Sequence, residues 1–331
     1  TMAPVASLPA LAVLLALAMQ PSLGNVVEFD GFDASAHVSA SHPRLIDGDI
    51  IAAVFSPFNE DASALNMTVL PEQAKFLCDS GVKWVFVGGT TGESLSLGVD
   101  ERKQLAEEWM ALSRTTCISV IVHVGHESLL AAQELAAHAQ SIGARAIAAM
   151  PPVFFKPATV EILADFMAQV AATAPKLPFY YYHIPSMTGV SFKMSDFISV
   201  AASRIPSFNG IKFTDYDLQD FAQCARFNAT GRTYEMLFGR DEEMLAAKLF
   251  GASGFVGSTY NYAGHLFNEL LEAYANNDMS SALLAQARAQ EFIRIMQQYS
   301  ANGVAANKMI GVLRTGVPLG PPRLPQVPIQ D

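Results

Sequence analysis

Basic residues are scarce in this chain. Lys and Arg total 21 against 31 Asp and Glu, a formal net charge of −10. Such a balance excludes a general nucleic-acid binder, because contact with a phosphate backbone needs a basic surface. Charge of either sign is also low, at 16% of residues, while 51% are apolar. That excludes a disordered chain and leaves enough apolar residues for a sizeable core. Cysteine is rarer still: Cys78, Cys117 and Cys224 form an odd set, each in an apolar segment. They read as small core or half-buried residues, not as a disulfide framework or a zinc site, and point to a reducing compartment. His123 and His126 make an H-x2-H pair with no acidic or thiol ligand at a useful spacing. Loop hydrogen bonding therefore fits them better than a metal ion.

Residues 1–43 contain no Lys or Arg. The apolar run from Leu8 to Met19 is too short for the ~20 residues that cross a bilayer. Its length suits a secretory h-region, and Ser22-Leu23-Gly24 offers small residues at a cleavage point, but a positive n-region is missing. A poorly ordered extension is the alternative. Two acceptor triplets, Asn66-Met67-Thr68 and Asn228-Ala229-Thr230, matter only if the chain is secreted.

The rest alternates. Short β-rich runs at 50–56, 84–88, 118–124, 146–150, 178–183, 210–213, 235–238 and 254–257 are mostly apolar, as in strands buried on both faces. Helix-length segments separate them. Leu105, Trp109 and Leu112 make one apolar stripe; Ala132, Leu135, Ala136, Ala139 and Ile142 make another. Eight such units predict an α/β fold of the (β/α)8 (TIM) barrel kind over 44–278. A doubly wound sheet is the alternative, but no G-x-G-x-x-G follows the first strand. Residues 279–331 add a C-terminal extension. A helix is expected over 280–300 with Phe292, Ile295, Met296 and Tyr299 on one face, and another over 302–315. Pro318, Pro321, Pro322, Pro325 and Pro328 then forbid regular structure. These helices would cap the barrel or build an oligomer surface.

Chemistry in such a barrel sits at the C-terminal ends of the strands. Lys212 lies there, between Ile211 and Phe213. If those two face the outer helices, alternation turns Lys212 into the barrel. An amine that loses hydration there has a lowered pKa and can attack a ketone to form a Schiff base. Lys83, at the start of its strand, reads as a surface lysine. After the second strand, Gly88-Gly89-Thr90-Thr91-Gly92-Glu93 brings two hydroxyls and exposed N–H groups able to hold a carboxylate. Glu93 reads as a hydrogen-bonding partner of that loop. Tyr180-Tyr181-Tyr182-His183-Ile184-Pro185 ends the fifth strand; one or two phenols can face inward, and one there can shuttle protons. Gly239-Arg240-Asp241-Glu242 ends the seventh, with carboxylates that can accept hydrogen bonds from a polyol. Asp241 also reads as the N-cap of a helix over 243–250. Small residues from Gly254 to Thr259 end the eighth strand and leave room for substrate.

These motifs resemble one family. Thr90-Thr91-Gly92-Glu93, Tyr182-His183-Ile184-Pro185, Gly210-Ile211-Lys212-Phe213 and Gly257-Ser258-Thr259-Tyr260-Asn261 are similar to the N-acetylneuraminate lyase branch of the pyruvate-dependent class I aldolases, which also contains dihydrodipicolinate synthase. The resemblance runs from about Leu45 to about Leu324. It implies a barrel with a C-terminal helical extension, assembled as a homotetramer, and a cytoplasmic lyase of sialic acid degradation. It implies that Lys212 forms the Schiff base, Tyr182 relays protons, and Thr90 with Thr91 binds the pyruvate carboxylate. Thr214, Gly239, Asp241, Glu242, Gly257 and Ser258 would line the pocket for the sugar tail. Where dihydrodipicolinate synthases place an arginine, two residues after the Tyr-x-x-Pro proline, this chain has Met187. The implied partners are small molecules, sialic acid and pyruvate, with no nucleic acid or membrane. No metal or organic cofactor is expected, because the lysine supplies the electrophile. Two other functions stay open: an aldolase for another 2-keto-3-deoxy sugar acid, or a non-catalytic barrel acting as a binding protein.

Overall fold

Eight parallel strands close into a barrel in this computed structural model, which describes residues 44–229, 231–298 and 303–329. The expectations for residues 1–43, Thr230 and Tyr299 lie outside the described residues. The strands are β1 (Ile50–Ala53), β2 (Trp84–Val87), β3 (Ser119–His123), β4 (Ala146–Ala149), β5 (Phe179–His183), β6 (Phe208–Phe213), β7 (Glu235–Phe238) and β8 (Gly254–Gly257). Each pairs with its chain neighbours, and β1 pairs with β8 to complete the ring. All eight fall within or next to the runs expected from sequence.

Alternation divides the core in two. Ala52, Val85, Val87, Tyr181, Ile211 and Phe213 point outward and pack against the helices. Ile51, Ala53, Phe86, Tyr180, Tyr182 and Val256 point inward and fill the barrel. Two of the three adjacent tyrosines thus face the interior. Gly210 lets β6 and β7 approach: a Cβ there would lie 1.8 Å from the Glu235 carbonyl oxygen. At the N-terminal end, the Tyr180 hydroxyl donates to Glu235 Oε2 at 2.7 Å, and the same carboxylate accepts from the backbone of Leu45 and Ile46. This closes the bottom of the barrel, so the opening lies at the other end.

The helices are α1 (Leu70–Asp79), α2 (Val99–Ser113), α3 (Leu129–Ser141), α4 (Val160–Ala171), the single turn α5 (Pro185–Thr188), α6 (Met194–Arg204), α7 (Leu218–Ala225), α8 (Met244–Leu249), α9 (Tyr260–Ala275), α10 (Met279–Gln297) and α11 (Val304–Thr315). Ser128 and Thr159 cap α3 and α4 by accepting from N3 amides. Leu105 and Trp109 of α2 and Ala132, Leu135, Ala136 and Ala139 of α3 are buried, as their spacing predicts. On α10 the buried line is Ala282, Ala285, Ala289, Ile293 and Met296, whereas Ile295 is 44% exposed. Alanines form the first half of that face, and Ile293 and Met296 form the second, with Met296 buried as expected. No helix among the described residues is long and apolar enough to cross a membrane.

The cysteine reading needs correction. Cys78, in the last turn of α1, and Cys117, just before β3, form a disulfide. They are 39 residues apart in sequence, but β2 pairs with β3 in the register Trp84↔Ser119. That register brings the segments preceding both strands together. Cys224 is free and buried.

Candidate active site

The open end of the barrel holds a cavity of about 500 Å³. Lys212, Tyr182, Thr90, Thr91, Thr214, Gly239, Asp241, Glu242 and Ser258 all line it. Gly257 does not. It abuts the wall from behind, where a Cβ would lie 1.8 Å from Asp241 Oδ1. Its missing side chain makes room for that buried carboxylate.

Lys212 projects inward from β6, paired in register with Tyr182 of β5. The residue is 3% exposed. Its Nζ lies 3.6 Å from the centroid of the Tyr182 ring and 4.3 Å from that of Phe86. Burial lowers the amine's pKa, against the opposing pull of Tyr182 and of the Asp241 charge. Aromatic faces hold the cation without a carboxylate partner, so the amine can lose its proton without breaking an ion pair. The Tyr182 hydroxyl is 3.1 Å from Thr90 Oγ1. Thr90 and Thr91 ride on the turn after β2, which begins at Gly88 with φ +70°, a conformation that glycine adopts at no steric cost.

His123 ends β3 behind this turn. Its Nδ1 donates to the Gly88 carbonyl at 2.8 Å, and its Nε2 accepts from the Met150 amide at 3.2 Å. Burial, then the nearby Arg102 and Lys212 charges, hold its pKa well below the ordinary value. It is a neutral ring spent on backbone groups. His126 Nδ1 accepts from the Ser128 amide, so both histidines of the H-x2-H pair engage in loop hydrogen bonds.

The opposite wall carries the acids. Asp241 Oδ2 accepts from the Thr259 amide at 3.1 Å and from its hydroxyl at 2.5 Å. Burial pushes this carboxyl up to about 6, partly offset by those bonds. The expected N-cap role is not seen: Asp241 opens a 3-10 turn, its carboxylate reaches across to Thr259, and α8 starts at Met244 without a side-chain cap. Glu242 Oε1 accepts from Arg240 Nη2 at 2.8 Å, and the Arg240 guanidinium lies 3.3 Å from the Tyr216 ring centroid. Thr214 Oγ1 is buried without a hydrogen-bond partner. It fits only because Gly239 has no side chain, since a Cβ there would sit 2.0 Å away.

Glu93 meets the expectation with its backbone and departs from it with its side chain. It has φ +53°; its amide donates to the Thr90 carbonyl at 3.0 Å, while its carboxylate is held by the C-terminal extension. Lys308 Nζ donates to Oε1 at 3.0 Å and the Arg323 amide to Oε2 at 2.8 Å. Both side chains of the Glu93–Lys308 pair are 1% exposed. Sequence reasoning missed this pair. It also missed Tyr216 and the residues of the extension that line the cavity, among them Met296, Val304 and Asn307. The extension also fixes the acidic loop, with Gln286 of α10 donating to the Asp241 carbonyl and accepting from the Leu245 amide.

A closed (β/α)8 barrel with an uncompensated amine at its open end, faced by a phenol and two threonines, is the architecture of a lysine-centred barrel enzyme. The sequence relationships agree: residues 47–331 match the dihydrodipicolinate synthetase family, and the chain belongs to it. The N-acetylneuraminate lyases of Mus musculus and Homo sapiens are each 46% identical to it over 277 residues, which cover 83% of this chain and 86% of theirs. Among solved structures, the N-acetylneuraminate lyase of Proteus mirabilis superposes with a TM-score of 0.81 at 37% identity, covering 86% of this chain and 94% of that one.

Proposed function

We propose that the protein cleaves N-acetylneuraminate to N-acetylmannosamine and pyruvate through a Schiff base on Lys212. The observation that carries this reading is the buried Lys212 amine against the Tyr182 ring, facing a cavity lined by Thr90 and Thr91 on one side and Asp241 and Glu242 on the other. The names of the relatives support it. The neutral amine attacks the C2 ketone of the open-chain sugar and water leaves, giving a protonated imine. Thr90 and Thr91 receive the carboxylate. The C3–C4 bond breaks as the C4 hydroxyl loses its proton toward Tyr182, and the bond electrons move into the imine to form an enamine. N-acetylmannosamine departs as the aldehyde. Protonation at C3 and hydrolysis then release pyruvate and the amine. Thr214, Asp241, Glu242 and Ser258 bind the hydroxyl-rich tail, with Gly239 and Gly257 as the gaps that let Thr214 and Asp241 fit.

Met187 supplies no cation where dihydrodipicolinate synthases place an arginine, and the Arg240 guanidinium in the cavity lining is paired with Glu242. A product assay with N-acetylneuraminate beside a panel of 2-keto-3-deoxy sugar acids tests the choice; faster cleavage of a deoxygluconate would move the protein to another substrate. We further infer a homotetramer, consistent with exposed Leu283, Leu284 and Leu313 on α10 and α11; light scattering measures it. The cytoplasm was expected from the family and from unpaired cysteines, and the second ground is removed by the disulfide.

A further inference from the structure

Two features of the described chain have no part in the chemistry above. The first is the Cys78–Cys117 disulfide, on the N-terminal face of the barrel and away from the cavity. The Cα atoms are 5.9 Å apart, inside the range that a disulfide bridges without backbone movement. Cys78 is half-buried and Cys117 exposed, so cellular reductants can reach the bond. Accessible disulfides are lost to the thiol pool of a reducing compartment and persist in an oxidising one.

The second feature is the triplet Asn66-Met67-Thr68, an N-glycosylation acceptor sequence. It lies between β1 and α1, outside the cavity lining. Asn66 Oδ1 accepts from Thr68 Oγ1 at 2.6 Å and from the Thr68 amide at 3.3 Å. The turn thus engages the amide oxygen, while Asn66 Nδ2 takes no part in these bonds, and Thr68 is exposed. The apolar run from Leu8 to Met19, followed by the small residues Ser22 and Gly24, has the length of a secretory h-region, although no positive n-region precedes it.

We propose that the protein matures in an oxidising, glycosylating compartment, where Cys78 and Cys117 are joined and Asn66 receives an N-linked glycan. In the first step the two thiols give up two protons and two electrons to the disulfide of a thiol–disulfide exchange partner, which leaves as a dithiol. In the second, Asn66 Nδ2 loses a proton and bonds to the anomeric carbon of a lipid-diphosphate-linked oligosaccharide. The bond from that carbon to the diphosphate oxygen breaks, and the lipid diphosphate leaves. Neither step depends on the reaction assigned to Lys212.

The test is expression of the full chain in cultured eukaryotic cells, with free thiols alkylated at lysis. The expected peptide map, taken without reduction, joins Cys78 to Cys117 and finds only Cys224 alkylated. Peptide-N-glycosidase should increase the gel mobility and convert Asn66 to aspartate. Asn66→Gln and Thr68→Ala should each abolish the glycan at that position. Alkylated Cys78 and Cys117 in the wild-type protein would overturn the proposal, as would an unmodified Asn66 in the disulfide-bonded protein.

Discussion

Asp241 is the residue whose replacement separates stability from function most clearly. Its carboxyl is raised from the ordinary 3.8 to about 6, chiefly by burial. The folded protein therefore holds this proton more tightly than the unfolded chain does. The sign follows from linkage: the stability contribution is complete below pH 3.8 and is lost as pH rises through about 6. A shift of about two units corresponds to about 3 kcal/mol. Asp241→Asn removes the titrating proton but keeps one oxygen to accept from the Thr259 amide. The Thr259 bonds to the carboxylate are already contained in that net shift, because they lower the pKa against burial. At pH 7.5 the variant should be up to about 3 kcal/mol more stable than wild type, or roughly 4–5 °C in Tm for a chain of 331 residues.

Urea unfolding of both proteins at pH 4.5 and pH 7.5 measures this. The comparison isolates Asp241, because every other titrating group is shared. The variant's advantage should widen between the two pH values, while its kcat/KM for N-acetylneuraminate falls and loses the rising limb near pH 6. If wild type instead gains stability on the variant as pH rises, Thr259 and its surroundings stabilise the carboxylate more than burial penalises it. The reasoning would then be wrong.

Other expectations follow from the same site. Borohydride with pyruvate should leave an adduct on Lys212, and Lys212→Ala should fold without being labelled; an adduct on Lys83 or Lys248 would contradict the placement of the amine. Glu242→Ala should cost about 0.5–1.5 kcal/mol in sugar kcat/KM, roughly 2- to 10-fold, with less effect on adduct formation with pyruvate, and Met187→Arg should also slow the sugar reaction in a steady-state assay. Lys308→Met should destabilise by about 3–5 kcal/mol, because it strands the Glu93 carboxylate in the core; urea titration should show much of the loss recovered in Glu93→Gln/Lys308→Met. Replacing both Cys78 and Cys117 by serine should lower stability by up to about 4 kcal/mol, the chain-entropy value for a loop of this length.

The barrel and its reactive centre were legible because both are written locally. Period-2 alternation across Ile211, Lys212 and Phe213 was enough to turn the amine inward, and the observed packing of Ile211 and Phe213 on the outer face follows from it. Strand ends were legible for the same reason: a short apolar run stops where glycine or a hydroxyl begins. The disulfide was not legible. Nothing in a 39-residue separation predicts contact, and only the register of β2 on β3 supplies it. Asp241 was misread as a helix cap because an acid before a helix has a local use that sequence can see, whereas Thr259 is 18 residues away.

Glu93 makes the same point over a longer distance, and it bears on how the cavity is built. Its partners Lys308 and Arg323 lie 215 and 230 residues along the chain. A buried pair of this kind gains little over two apolar residues and loses much if one partner goes. Its contribution here is geometric. Glu93 stands two residues after Thr91, in a left-handed conformation that a glutamate rarely adopts. That conformation persists only if its surroundings over-determine it. Lys308 and the Arg323 amide do so from the extension, and Arg323 adds a bidentate grip on Glu101. The turn that presents Thr90 to Tyr182 is thus also held from outside the barrel. The same extension lends Met296, Val304 and Asn307 to the cavity wall. The eight βα units supply the amine, the phenol and the acids and hold the turn through His123 and Ser56, while the last segment of the chain packs against the turn and fixes the Glu93 carboxylate.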